Sequence, residues 1–97
     1  MNLFKNRLIA HRGLHKSRII PENSIQAFKN AMEKNYAIEF DINITIDKQI
    51  VIFHDDDLNR LCNKKERIEE VTYDFLKDLK LSKSDEKIPL LKELLVE

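Results

Sequence analysis

An α/β fold is predicted from three features of the chain. The elements run strand, helix, strand, strand, helix, helix; the strands are near-continuous apolar runs; and 97 residues allow at most one modest domain. The first strand is expected parallel to the second, with a helix as the crossover. Strands this apolar call for cover on both faces.

Leu8-Ile9-Ala10 is a short apolar run before the turn signal His11-Arg12-Gly13, hence a buried strand. Residues 14–22 form a polar loop with a basic stretch, stopped by Pro21. Asn23 is placed to cap the next helix, with Gln26 at the capping-box position, and Ile25, Phe28, Ala31 and Met32 repeat at helical spacing. Asn35 takes the C-terminal stop that glycine usually fills. Tyr36 to Thr45 and Gln49 to His54 read as two strands joined by a short polar turn. With Asp47 and Lys48 as the turn residues, antiparallel pairing sets Ile46 against Gln49, Ile44 against Val51 and Asp41 against His54. A one-residue bulge would slip that register.

Asp56 to Glu70 is charged and mostly irregular, anchored by Leu58 and Leu61. Thr72 is expected to cap a short helix, Tyr73 to Leu81, with Leu76 and Leu79 on one face. Ser82 to Lys87 reads as a solvated linker. Pro89 then starts an apolar helix carrying Leu90, Leu91, Leu94 and Leu95 and running to Glu97.

Composition narrows the function classes. Basic and acidic residues are equal at 17 each and interleaved, which leaves no electrostatic footprint for nucleic acid or an anionic membrane. The single cysteine, Cys62, excludes an internal disulfide and fits a reducing compartment. Met1 to Arg7 lacks the apolar stretch of a signal peptide and no transmembrane span occurs, so a soluble, cytoplasmic protein is expected. Gly13 is the only glycine, expected where no side chain fits.

Glu39 and Asp41, two apart on a strand, point to the same side, and the expected register adds His54 to their face. Two acids and an imidazole converging this way make a candidate metal-assisted acid–base site. The plainer alternative is a pair of solvent-facing acids on an edge strand.

His11-Arg12-Gly13, Pro21-Glu22-Asn23-Ser24, Glu39-Phe40-Asp41 and His54-Asp55 with Leu58 and Arg60 stand in order and at characteristic spacing. Together with Ile88-Pro89-Leu90-Leu91 near the end, they resemble the bacterial glycerophosphodiester phosphodiesterases, from about Leu8 onward. Each tripeptide alone is weak; the ordered set is specific. Asn35 and Lys48 depart from the pattern, standing where the family often has glycine.

The resemblance implies a TIM-type (β/α)8 barrel with its site at the C-terminal ends of the strands. Such barrels typically need about 250 residues. Residues 1–97 are therefore expected to be a single partial catalytic domain, a truncated N-terminal portion of the barrel. The implied activity is metal-dependent hydrolysis of glycerophosphodiesters to glycerol 3-phosphate and an alcohol. His11 and His54 would be the catalytic acid–base pair, their individual roles unassigned. Glu39 and Asp41 would ligate Mg²⁺ or Ca²⁺, with a further acidic ligand from a later strand. Arg12 would fork the phosphate, Gly13 would admit substrate to the backbone, and Glu22 would either orient Arg12 or join the metal shell. Asp55, Asn23 and Arg60 follow family positions as supporting residues, and capping alone accounts for Asn23. The implied partner is a small glycerophosphodiester. The alternative is a non-catalytic barrel fragment that associates with itself or with a companion chain.

Overall fold

The computed structural model describes residues 9–13, 15–16 and 20–95. The expectations for Leu8, for the N-terminal seven residues, for much of the basic loop and for Glu97 fall outside them. β1 (Ile9–His11) pairs in parallel with β2 (Ala37–Glu39), Ile9 against Ala37 and His11 against Glu39. The crossover is α1 (Ile25–Glu33), which buries Ala27, Phe28 and Ala31. The expected parallel βαβ order is what forms.

The start of α1 differs from expectation. Ser24, not Asn23, is the N-cap: its hydroxyl accepts from Ala27 N at 3.1 Å. Asn23 stands one residue earlier at φ 58° and sends its amide elsewhere, so capping does not account for it. Gln26 donates its side-chain amide to Asn30, while its backbone N–H is taken by Glu86 at 3.0 Å. At the other end Asn35 adopts φ 56°, the left-handed stop expected of it.

The strand expected over Tyr36 to Thr45 breaks at Phe40-Asp41. β2 ends at Glu39, and β3 (Ile42–Ile44) forms a separate antiparallel hairpin with β4 (Ile50–Ile52). Its register pairs Ile42 with Ile52 and Ile44 with Ile50, one residue off the expected pairing. The cause lies in the turn. Lys48 takes φ 66° and donates to Thr45 O at 3.0 Å, so three residues, not two, are looped out. The Thr45 hydroxyl and the backbone N–H of Tyr73 fix Asp47 inside that loop. The slip sets Phe53 N–H on Asp41 O at 2.9 Å, and His54 falls one residue past Asp41.

The remaining chain wraps the hairpin. Leu58 and Leu61, on and beside α2 (Asn59–Cys62), join Val51, Phe53, Ile68, Leu76, Leu81 and Ile88 in the main apolar core. Thr72 caps α3 (Tyr73–Leu76) as expected, but the helix stops at Leu76 and not Leu81. Ser82 to Lys87 is a compact turn rather than a free linker, closed by Leu81 N–H on Glu86 O at 2.9 Å. The segment before α4 (Leu91–Leu95) lies along β4, where Ile52 N–H meets Pro89 O. Cover is one-sided at the hairpin: Ile42, Ile44, Ile46 and Ile50 remain exposed.

Gly13 sits at φ +80° directly under α1. A Cβ there would lie 2.8 Å from Ala27 C and 2.9 Å from both Ala27 Cβ and Phe28 Cδ1. Left-handed strain and overpacking each cost about 1–3 kcal/mol. Gly13→Ala should therefore lower unfolding free energy by about 3 kcal/mol, read as a shift in the urea midpoint at constant slope.

Candidate active site

The site is built where β1 and β2 end side by side. Register places His11 opposite Glu39, and the side chains meet with His11 Nε2 at 3.1 Å from Glu39 Oε1. Both are more than half exposed. Arg12 follows in a left-handed conformation, φ 61°, with its N–H on Glu39 O at 2.6 Å. That turn swings its guanidinium under the sheet end, between Glu22 and Asp41.

Arg12 Nη1 donates to Glu22 Oε2 at 2.9 Å, the orienting contact that the sequence offered as one of two roles for Glu22. Arg12 Nε lies 3.1 Å from Asp41 Oδ2 but off the N–H line, an ion pair without a hydrogen bond. Only 19% of the Arg12 side chain is exposed. Asn23 Nδ2 reaches the same Asp41 oxygen at 3.2 Å. Asn23 is nonetheless a residue of this cluster, tying the start of the crossover helix to Asp41.

His54 does not face Asp41 across the hairpin, since the register slip removes that pairing. Its Nδ1 stands 2.8 Å from Asp55 Oδ1. Arg60 then holds both Asp55 oxygens, Nε on Oδ2 at 2.9 Å and Nη2 on Oδ1 at 3.1 Å. Its other edge forks Glu22, Nη1 on Oε1 and Nη2 on Oε2, each at 2.8 Å. A continuous chain of contacts runs from Asp41 through Arg12, Glu22, Arg60 and Asp55 to His54.

Arg60 was legible only as a supporting residue. The signal available was its place five residues after Asp55, on a turn pinned by buried Leu58 and Leu61; the link to Glu22, 38 residues away, had none. His15 is exposed. Burial pushes the Cys62 thiol up to about 11, so it is no nucleophile near neutrality.

The charge cluster moves its members' titration. Hydrogen bonding to Arg60 holds Glu22 below the usual carboxylate range, against the opposing effect of burial, with the charges of Arg60 and Arg12 adding to it. Asp55 is lowered first by Arg60 and then by His54. Arg60 is raised in return by Glu22 and Asp55.

Glu39 and Asp41 suit a hard divalent cation in kind, and the contacts of Arg12 and Asn23 both fall on Asp41 Oδ2. Asn23 Oδ1 is a buried oxygen with no hydrogen-bond partner among the described residues. In number the donors are few: among the described residues, no three His, Cys, Asp or Glu side chains gather to hold a metal ion. The donor set fits part of a cation's shell.

The profile of the glycerophosphoryl diester phosphodiesterase family matches residues 11–97. A glycerophosphodiester phosphodiesterase of Caldanaerobacter subterraneus is 40% identical over 76 residues, covering 77% of this chain and 30% of that protein. One from Bacillus altitudinis is 36% identical over 96 residues, covering 92% of this chain and 38% of that protein. A glycerophosphoryl diester phosphodiesterase of Parabacteroides distasonis superposes with TM-score 0.82 at 31% identity, covering 93% of this chain and 33% of that one. An Oleispira antarctica phosphodiesterase in complex with the product sn-glycerol-3-phosphate gives 0.76 at 29% identity, over 88% of this chain and 36% of that one. The expected fold class stands: the chain has the structure of an N-terminal portion of these (β/α)8 barrels and spans 30% to 39% of the length of the first curated relatives.

Because Glu22 and Asp55 titrate lower in the folded chain than when unfolded, their stabilisation is complete above the ordinary carboxylate range. It is lost as pH falls through about 4 and below. Glu22→Gln should lower stability at neutral pH by about 1–3 kcal/mol. Urea unfolding of this variant, followed from neutral pH downward, should show a flatter acid limb than the parent.

Proposed function

From a chain that belongs to the glycerophosphoryl diester phosphodiesterase family, we propose a metal-dependent hydrolysis of glycerophosphodiesters to glycerol 3-phosphate and an alcohol. The observation that carries this reading is the register pairing of His11 with Glu39 at the C-terminal ends of two parallel strands, where barrel enzymes assemble their chemistry. Supporting it, His54 follows β4 and is tied back to the same place through Asp55, Arg60 and Glu22.

Phosphodiester cleavage needs a nucleophile freed of its proton, a departing alkoxide that receives one, and shielding of the non-bridging oxygens. His11 and His54 divide the proton work, one as base and one as acid. Following the related phosphodiesterases, the attacking group is a hydroxyl of the glycerol itself, and water then opens the resulting cyclic phosphate. Mg²⁺ or Ca²⁺ on Glu39 and Asp41 would supply the charge neutralisation. Arg12, mostly buried between two carboxylates, serves this reading chiefly by fixing Asp41 and Glu22, and its remaining N–H donors would take the phosphate.

A second reading has its own observation. Ile42, Ile44, Ile46 and Ile50 leave an apolar face on the hairpin, and Ile46 alone is 57% exposed. Such a face favours association with another copy or with a companion chain carrying further barrel strands.

Purified chain incubated with glycerophosphocholine or glycerophosphoethanolamine should release glycerol 3-phosphate with Mg²⁺ or Ca²⁺ and stop on chelation. His11→Ala and His54→Ala should each reduce the rate by about 10²–10⁴-fold. No release with either cation would overturn catalysis by this chain. Light scattering after size exclusion addresses the second reading: the parent should exceed monomer mass and Ile44→Lys/Ile46→Lys should not. A parent that stays monomeric at every concentration would dismiss it.

A further inference from the structure

We infer that Arg60 is a positioning residue that locks the His54 ring in one tautomer by clamping Asp55 to Glu22. The inference rests on the proposed role of His54, and its geometry stands apart from turnover.

His54 lies just beyond β4, where no ladder bond restrains its ring, and 45% of its side chain is exposed. A contact between neighbours in sequence, such as Nδ1 on Asp55 Oδ1, is loosely held when water can replace either partner. Here the carboxylate is not free to leave. Arg60 meets both Asp55 oxygens with one edge and both Glu22 oxygens with the other, using four of the five N–H donors of its planar fork. Glu22 is in turn buried, with 10% of its side chain exposed, and gripped from the far side by Arg12.

Arg60 itself is seated on α2 between buried Leu58 and Leu61, so the clamp has a fixed base. The result refers the orientation of the His54 ring to the segment that carries Arg12 and His11. Lysine offers a point charge on a flexible stem and cannot hold two carboxylates edge to edge.

The chemical consequence is specific. An ionised carboxylate fixed beside Nδ1 accepts its proton, so the neutral ring carries Nδ1–H and leaves the Nε2 lone pair outward. A histidine side chain free in water prefers the opposite tautomer, Nε2–H. Without Arg60, Asp55 is released to solvent and the preference should revert. The pattern is one carboxylate orienting an imidazole, with an arginine orienting the carboxylate.

The test is the long-range proton–nitrogen NMR spectrum of ¹⁵N-labelled chain, taken where the rings are neutral. The three histidine signals are assigned with His11→Ala, His15→Ala and His54→Ala. The parent should show His54 mainly as Nδ1–H. Asp55→Ala should invert the tautomer ratio, and Arg60→Gln should do so with Asp55 still in place. Arg60→Lys, which keeps charge and stem, should also invert it and serves if Arg60→Gln does not fold, dispersed amide signals being the check. An Nε2–H majority in the parent would overturn the inference. So would an Nδ1–H majority in a folded Arg60 variant. Failure of catalysis would appear as absent glycerol 3-phosphate release, a result on which these spectra do not depend.

Discussion

The constraint on which this site depends is the sequestration of one carboxylate, Glu22, between two guanidinium groups. Glu22 accepts from Arg12 on one side and from both terminal nitrogens of Arg60 on the other, at 2.8 to 2.9 Å. A buried acid without such partners would be strongly unfavourable, and a buried arginine equally so; together they offset each other's charge. Because the three residues come from β1's end, the entry to α1 and α2, their mutual requirement fixes the relative placement of those segments. The imidazoles ride on that frame, His11 next to Arg12 and His54 next to Asp55.

Apolar packing supplies the scaffold that this cluster rides on. α1 sits so close on the turn after β1 that only glycine fits at position 13, and Ala27 and Ala31 are fully buried. The larger core lies farther along, under the hairpin, where Val51, Phe53, Leu58 and Ile68 are fully buried. Leu58 serves both regions. It belongs to the core and, as the residue before α2, sets where Arg60 emerges. The polar cluster thus sits between two apolar bodies and records their relative position in hydrogen-bond distances.

The hairpin is covered on one side, with Ile42, Ile44, Ile46 and Ile50 exposed. The chain covers about a third of the length of its structural relatives at TM-scores near 0.8. Within β4, Ile50 is exposed while Val51 and Ile52 are buried. At the end of the β1–β2 sheet, among the described residues, no three His, Cys, Asp or Glu side chains gather around Glu39 and Asp41.

Local chemistry made much of this legible. The parallel βαβ order, the left-handed stop at Asn35, the cap at Thr72, the anchoring by Leu58 and Leu61, and the family itself followed from periodicity, turn residues and ordered motifs. These are decided within a few residues, so the sequence states them. What escaped it depends on distance in space. The turn loop grew by one residue because Thr45 and Tyr73 fix Asp47, and Tyr73 lies 26 positions away; the hairpin register slipped with it. Ser24 takes the cap because Asn23, tied to Asp41, turns through a left-handed backbone at φ 58° where a cap is extended. Arg60 became the link between the two halves of the site because Glu22 needed a second cation, a requirement created only when folding removed water from that carboxylate.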